Sequence, residues 1–385
     1  MTITTTRRTR PVWPPRTDPA GQSRSTVRHV DSGSVDQSEQ LRRRFLADAR
    51  EHWRRAPFHS GLCATAASDR QILSILDHAP AEQRLPVLLM AAVHSLVLAE
   101  PDGELASHYP TTGGTGSPGF AAPVFVDFCH DRADRLAEIV ATRRTQTNEV
   151  GRAGLLLPAL SLIHAEVGPL ALSNIGTSGG LNLLLDRFAY EYRPGGRVGP
   201  PAPVHLVCDI DGDVPIPTAI PRLASRLGAD IDPIDVTDDD RAQWLMACIW
   251  ADQQDRFERL RAAIELARVD PPPIVRADAV DAITEFVTDT DGHPVITNSW
   301  VLNYLSHAER THYVTEVSRI GRRIDLTWVY AECPALCPGV PFDGPVKDRR
   351  LTAVTMVTWR RGTQTVRHLG SAHPHGYWLR GRPRR

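Results

Sequence analysis

The stretch 170–192 constrains this chain more than any other. An apolar run, Leu170–Ile175, meets the turn Gly176-Thr177-Ser178-Gly179-Gly180, after which Leu181, Leu184, Leu185 and Phe188 recur at helical spacing. The pattern predicts strand, tight turn, helix. Glycines admit positive φ and let a backbone approach a ligand closely, and the exposed N–H groups at a helix start favour an anion. The unit is built to hold something small.

The same five turn residues satisfy more than one template. As G-x-S-x-G between strand and helix they form a nucleophile elbow that presents Ser178. As the first glycine loop of a class I methyltransferase they cradle S-adenosylmethionine. The dinucleotide fingerprint G-x-G-x-x-G fits less well, because Ser178 and Leu181 occupy its second and third glycine positions. A tight strand-to-helix turn with no ligand also accounts for the residues.

A chain of 385 residues buries a sizeable core and suggests roughly two domains. Its 44 basic residues against 45 acidic ones give no global charge that would draw nucleic acid or a membrane surface, so neither is expected as a partner. Lys347 is the only lysine. A phosphate-binding P-loop needs G-K-[ST] and a Schiff-base enzyme needs a lysine, so both classes are nearly excluded. The six cysteines are scattered and read as reduced and mostly buried. Cys333 and Cys337 stand in a C-x-x-x-C spacing without a second pair, H-E-x-x-H does not occur, and His373-Pro374-His375 reads as a polar turn, so no metal site is expected. The N-terminus lacks an apolar signal core, and the apolar run 85–98 is interrupted by His94 and Ser95 and too short to span a bilayer. A cytoplasmic protein is the expectation.

Residues 1–37, rich in Thr, Arg, Pro, Ser and Gly, cannot offset their ordering entropy and read as a disordered tail. From 38 to 165 the pattern is helical: Leu41, Phe45 and Trp53 near helical spacing, a buried helix over 85–98 behind Pro86, and further helices over 124–142 and 149–165. Between the last two lies a polar run, 143–152. Capping explains Thr147 or Asn148 with Glu149; Gln146 and Arg152 beside them suggest one wall of a polar pocket.

From 166 to 385 strands and helices alternate. Strands are expected at 205–208, at 226–235 with an acidic end, at 274–279, 294–302 and 324–331; helices at 280–287 and 308–320, and one long amphipathic helix running through Leu245, Ile249, Phe257, Leu260 and Ile264. Segments 351–360 and 364–369 read as an antiparallel hairpin at the sheet edge. The fold class is α/β: an N-terminal helical region, then a doubly wound, mostly parallel Rossmann-like sheet with a C-terminal antiparallel hairpin.

Three blocks carry a family resemblance. They are Arg144-Thr145-Gln146-Thr147-Asn148-Glu149-Val150, then Gly176-x-Ser178-x-Gly180-Leu181-Asn182-Leu183 with Asp186-Arg187-Phe188, then Gly228-x-Asp230-x-x-Pro233-x-Asp235 followed by Trp244 and Trp250. Together they resemble a bacterial domain family of unknown function over most of the chain. Its C-terminal half is similar to the class I S-adenosylmethionine-dependent methyltransferase fold, with a glycine loop after the first strand, an acid after the second, an acid near the third and a hairpin at the end. The sequence departs from that pattern at Asn174, where an acidic residue usually stands two positions before the first glycine.

That resemblance implies a methyltransferase acting on a small molecule. Gly176, Thr177, Ser178 and Gly180 would meet the methionine end of the cofactor, a carboxylate among Asp230, Asp232 and Asp235 the ribose hydroxyls, and Asp278 with Ala279 the adenine. Gln146, Asn148, Glu149, Arg152 and Asn182 are the candidates for the substrate wall, where methyl transfer asks mainly for positioning and proton removal. A serine hydrolase would instead need Ser178 with an acid and a histidine, for which Asp325 and His368, His373 or His375 follow in order. A non-catalytic Rossmann-like scaffold is the third reading, favoured by Asn174.

Overall fold

A computed structural model describes residues 32–286, 291–342 and 351–382. The expected tail 1–37 lies outside the described residues up to Ser32, where a helix begins. Six helices come first: α1 (Ser32–His52), α2 (Pro57–Ala67), α3 (Arg70–Ser74), α4 (Pro86–Ala99), α5 (Pro118–Asp131) and α6 (Ala133–Thr142). They close on a core that includes Phe45, Phe58, Leu62, Leu88, Val93 and Phe125. Helix α4 is its centre, buried on nearly every side, with Pro86 in its first turn where a missing N–H costs no helical bond. Trp53 does not join this core; it is 55% exposed. The expected helix 124–142 is two helices, because Arg132 leaves helical geometry between α5 and α6.

Helix α7 (Ala153–Val167) leads into the sheet. With the short turn before it, Val150–Val167 is long and apolar enough to cross a membrane by length and composition, yet Leu155, Leu156, Leu157 and Leu160 are all buried in the core that covers one sheet face. The strands and remaining helices follow as β1 (Leu170–Ile175), β2 (Ala189–Arg193), β3 (Gly196–Val198), β4 (His205–Asp211), β5 (Leu223–Asp230), α8 (Asp239–Ala247), α9 (Gln254–Val269), β6 (Ile274–Arg276), α10 (Ala279–Phe286), β7 (His293–Ser299), α11 (His307–Gly321), β8 (Leu326–Glu332), β9 (Thr352–Arg360), β10 (Thr363–Ala372) and β11 (Trp378–Arg380). The expected helix 280–287 ends in residue 287, outside the described residues.

The strands form one 11-stranded sheet in the order β3-β2-β4-β11-β10-β9-β8-β7-β1-β5-β6. The run from β8 to β6 is parallel throughout. Along β8 alternate side chains serve opposite faces, as a strand's period of two requires: Leu326, Trp328 and Tyr330 pack toward α10 and α11, while Val329 and Ala331 pack toward α7. β1 and β8 are buried throughout and read as nearly continuous apolar runs, whereas β5 and β6, toward the sheet edge, are partly exposed and more polar.

Three expectations need correction. The hairpin β9–β10 is antiparallel, but it is interior to the sheet, since β11, β4, β2 and β3 extend the sheet beyond it. The long helix through 245–264 is two helices, α8 and α9, separated by Cys248–Gln253 residues that include Trp250 and Asp252. The segment after the glycine turn is a 3-10 turn, Leu181–Arg187, with Leu184 out of helical geometry. Leu181, Leu183, Leu184 and Leu185 are all buried, and four leucines in five positions cannot share one helix face.

Candidate functional site

In chain order β6-β5-β1-β7-β8 reads 3-2-1-4-5, the doubly wound order, and the winding reverses between β1 and β7. Ligands of such sheets bind outside the carboxyl ends of the strands at that reversal. Those ends are Ile175 for β1, Asp230 for β5, Arg276 for β6, Ser299 for β7 and Glu332 for β8. The glycine turn stands directly at the reversal.

The turn is held by its neighbours. Gly176, Ser178 and Gly180 have φ of 67°, 53° and 72°, so the turn takes left-handed geometry even at a serine. The N–H groups of Gly176 and Thr177 donate to Ala229 O, that of Ser178 to Asp230 Oδ2 at 2.7 Å, and that of Leu181 to Asn148 Oδ1 at 3.2 Å. A Cβ on Gly176 would lie 2.4 Å from the Val301 side chain, and one on Gly180 would lie 2.7 Å from Ile274. These glycines admit protein side chains against the turn. The helix start expected there is a 3-10 turn, with Leu184 out of helical geometry, so no extended helix dipole backs the turn.

The polar run 143–152 packs against this turn. Gln146 Nε2 donates to Asp232 O at 2.8 Å, Asn148 caps the turn through Leu181, and Asn182 Nδ2 donates to Glu149 O at 3.1 Å. Glu149 is 3% exposed. Its carboxylate takes the Gly151 N–H at 3.1 Å and Arg256 Nε at 2.6 Å, with Arg259 Nη2 at 3.9 Å. His375 Nδ1 lies 2.9 Å from Oε2, outside hydrogen-bonding geometry. Burial works to raise the Glu149 carboxyl, and Arg256, His375 and Arg259 outweigh it and hold it well below the usual carboxylate range. Burial also lowers His375, more than Glu149 draws it up. Arg152 turns to the other side of the reversal, where Nη1 donates to Ser299 O at 3.1 Å and Nε to Pro374 O at 2.9 Å.

The acidic candidates each have partners. Asp230 Oδ1 accepts the Asp232 N–H at 2.9 Å, so its carboxylate spans the turn and its own strand end. Asp232 pairs with Arg276 at 3.0 Å and Arg241 at 3.4 Å, and Asp235 holds Thr237. Asp278 accepts from the Val280 N–H at 2.8 Å at the start of α10, next to Ala279, and Ala277 N donates to Asp230 O at 3.0 Å. Asn174 Nδ2 donates to Thr297 Oγ1 at 3.0 Å and to Thr297 O at 3.3 Å, ties that an acid in its place could not donate.

The strand ends also carry a group outside the sequence expectations. Glu332 is fully buried; its Oε1 accepts from Asn298 Nδ2 and Val301 N–H, both at 2.8 Å. These bonds fix the turn after β7, where Trp300 has φ of 60°. Burial pushes the Glu332 carboxyl up to about 7, against the pull of those donors. The signal in the sequence is an acid ending a strand, one residue past the expected end at 331. Among the described residues Thr177 Oγ1, Ser178 Oγ, Asn182 Oδ1 and Glu332 Oε2 are buried without a hydrogen-bond partner. Buried polar atoms rarely stay unpaired, and four of them around one strand-end reversal mark a place for a ligand or water.

The model of a family described as "Uncharacterized protein conserved in bacteria (DUF2332)" matches residues 42–380. No curated protein and no solved structure matches the chain.

Proposed function

The chain belongs to that bacterial family, and we propose that it is an S-adenosylmethionine-dependent methyltransferase acting on a small molecule. One observation carries the reading: the glycine turn ends β1 at the winding reversal, with Asp230 closing β5 and Asp278 just beyond β6 on the same edge. The residues fit such a cofactor in a particular way. The N–H groups of Gly176, Thr177, Ser178, Gly180 and Leu181 are engaged, so the Thr177 and Ser178 hydroxyls, the Asn182 side-chain carbonyl and the Gly179 N–H would be the groups to meet its methionine end. Asp230 uses one lone pair of Oδ2 on the Ser178 N–H and one of Oδ1 on the Asp232 N–H, and keeps acceptor capacity for ribose hydroxyls; Asp278, with one oxygen on Val280, keeps capacity for the adenine amino group.

S-adenosylmethionine bound here would supply an electrophilic methyl group. The chain's own work is to align a nucleophile and to exclude water. Gln146, Asn148, Glu149 and Asn182 form one wall, stiffened by Arg256, and Arg152 with the Glu332-held turn at Trp300 forms the other.

A non-catalytic scaffold is the second reading, favoured by Val301 seated against Gly176 and by the engaged N–H groups. Acyl transfer has less support. Ser178 Oγ has no partner, while His368 bonds Pro341 O and Thr355 and the Asp325 carboxylate takes the Arg361 N–H. A thermal-shift panel with S-adenosylmethionine, S-adenosylhomocysteine and NAD tests the cofactor class. A shift with the two S-adenosyl ligands alone is expected; a flat response to all three favours the scaffold.

A further inference from the structure

Away from the sheet, α1 and α2 bring metal-ligating atoms of three side chains, Asp48, His59 and Cys63, within 4.8 Å of one another, with His52 beside Asp48. Asp48 and His52 stand one turn apart on α1, and His59 and Cys63 one turn apart on α2, so each helix presents an i, i+4 pair on one face. Asp48 Oδ2 lies 2.9 Å from His59 Nε2 and 3.5 Å from Cys63 Sγ, and the sulfur lies 3.5 Å from the same Nε2. His52 Nε2 is 3.7 Å from Asp48 Oδ1. His59 and Cys63 are buried.

A proton relay and a metal site make different demands on such a trio. A relay sets the imidazole between acid and thiol, with one partner on each ring nitrogen. Here carboxylate and thiol both face Nε2, so they compete for one nitrogen and converge on one point. Ligands on a tetrahedral zinc ion, with bonds of about 2.0–2.3 Å, stand roughly 3.3–3.7 Å apart. The two edges to sulfur already have that length, and the carboxylate–imidazole edge needs to open by about 0.4 Å.

The surroundings fix these groups independently of one another. The Asp252 carboxylate accepts the Phe58 and His59 N–H groups, both at 2.8 Å, which anchors the start of α2 to the link between α8 and α9. Trp250 from that link stacks on the His59 ring at 4.3 Å and meets the His52 ring edge-on at 4.6 Å. One indole thus orients both imidazoles.

We propose that Asp48, His59 and Cys63 bind a divalent metal ion of the zinc class, with water in the fourth position, and that the ion clips α1 to α2 beside the α8–α9 link. Binding exchanges the Cys63 S–H bond for a sulfur–metal bond and releases one proton to solvent. The site is independent of the methyltransferase reading.

The test uses the full chain stripped with a chelator and titrated with Co²⁺, then with Zn²⁺. One Co²⁺ per chain is expected, with tetrahedral visible bands and a thiolate-to-cobalt charge-transfer band, both discharged by Zn²⁺. Cys63→Ser should lose the charge-transfer band, and His59→Ala should bind Co²⁺ more weakly. Should Cys63→Ser fail to fold, the wild-type spectrum and the rise of the apo-protein's Tm on adding Zn²⁺ remain decisive. A wild type without a charge-transfer band, or a folded Cys63→Ser variant with an unchanged spectrum, overturns the proposal.

Discussion

Asp230 holds the backbone N–H of Ser178 at 2.7 Å, from the end of one strand to the turn that ends its neighbour. The second carboxylate oxygen takes the Asp232 N–H at 2.9 Å, so one side chain sets both the turn and the exit of β5. Asp230→Ala leaves two N–H groups without their charged acceptor and should cost about 1.5–3 kcal/mol in urea unfolding. It should also weaken S-adenosylhomocysteine binding. Unchanged stability would mean that the turn is held by its other bonds alone.

Glu149 is the buried anion that Arg256 and Arg259 share. Glu149→Gln leaves two guanidinium groups facing a neutral amide and should destabilise by about 3–5 kcal/mol at pH 7. The folded carboxyl sits below its unfolded value of about 4.3, so its contribution is present above that pH and lost as pH falls toward the folded value. The gap between wild type and variant, read by denaturant unfolding, should therefore narrow below about pH 4. A gap that is constant with pH would contradict the assignment.

Glu332 should act with the opposite sign. Its folded value of about 7 lies above the unfolded one, so the native state holds an extra proton in between and loses stability as pH rises through that window. Glu332→Gln keeps an acceptor oxygen for Val301 and can stay neutral. The variant should gain on the wild type by up to about 1.4 kcal/mol per pH unit between about pH 4.3 and 7. Parallel stability curves would show that Glu332 does not titrate there.

Ser178 separates the enzyme readings. With its hydroxyl without a hydrogen-bond partner, a fluorophosphonate probe should leave the wild type unlabelled, and Ser178→Ala should weaken cofactor binding by no more than about tenfold, the loss of one hydrogen bond. Stoichiometric labelling that vanishes in the variant would establish acyl transfer.

Periodicity made β1, β4, β7, β8 and α11 legible, because strands and one-sided helices write opposite patterns; β2 and β3, short and next to a Pro/Gly stretch, carry no such signal. The glycine turn and the polar run 143–152 were legible as separate features; that Asn148 and Glu149 meet Leu181 and Asn182 is a tertiary contact that no local pattern encodes. The place of the hairpin was hidden for the same reason, since β9 and β10 look like edge strands until β11 and β4 are known to pair beyond them. The Asp48–His59–Cys63 cluster was missed because its spacing, Asp-x3-His and then His-x3-Cys, belongs to no common metal signature and acquires meaning only when α1 packs on α2.

Calorimetric titration of the purified chain with S-adenosylhomocysteine reads binding at the strand ends without an acceptor substrate. A saturable one-site isotherm is expected, weakened about ten- to a hundredfold by Asp278→Ala with the melting temperature little changed. An isotherm without saturable heat at millimolar ligand, or one that Asp278→Ala leaves unchanged, would contradict the methyltransferase reading.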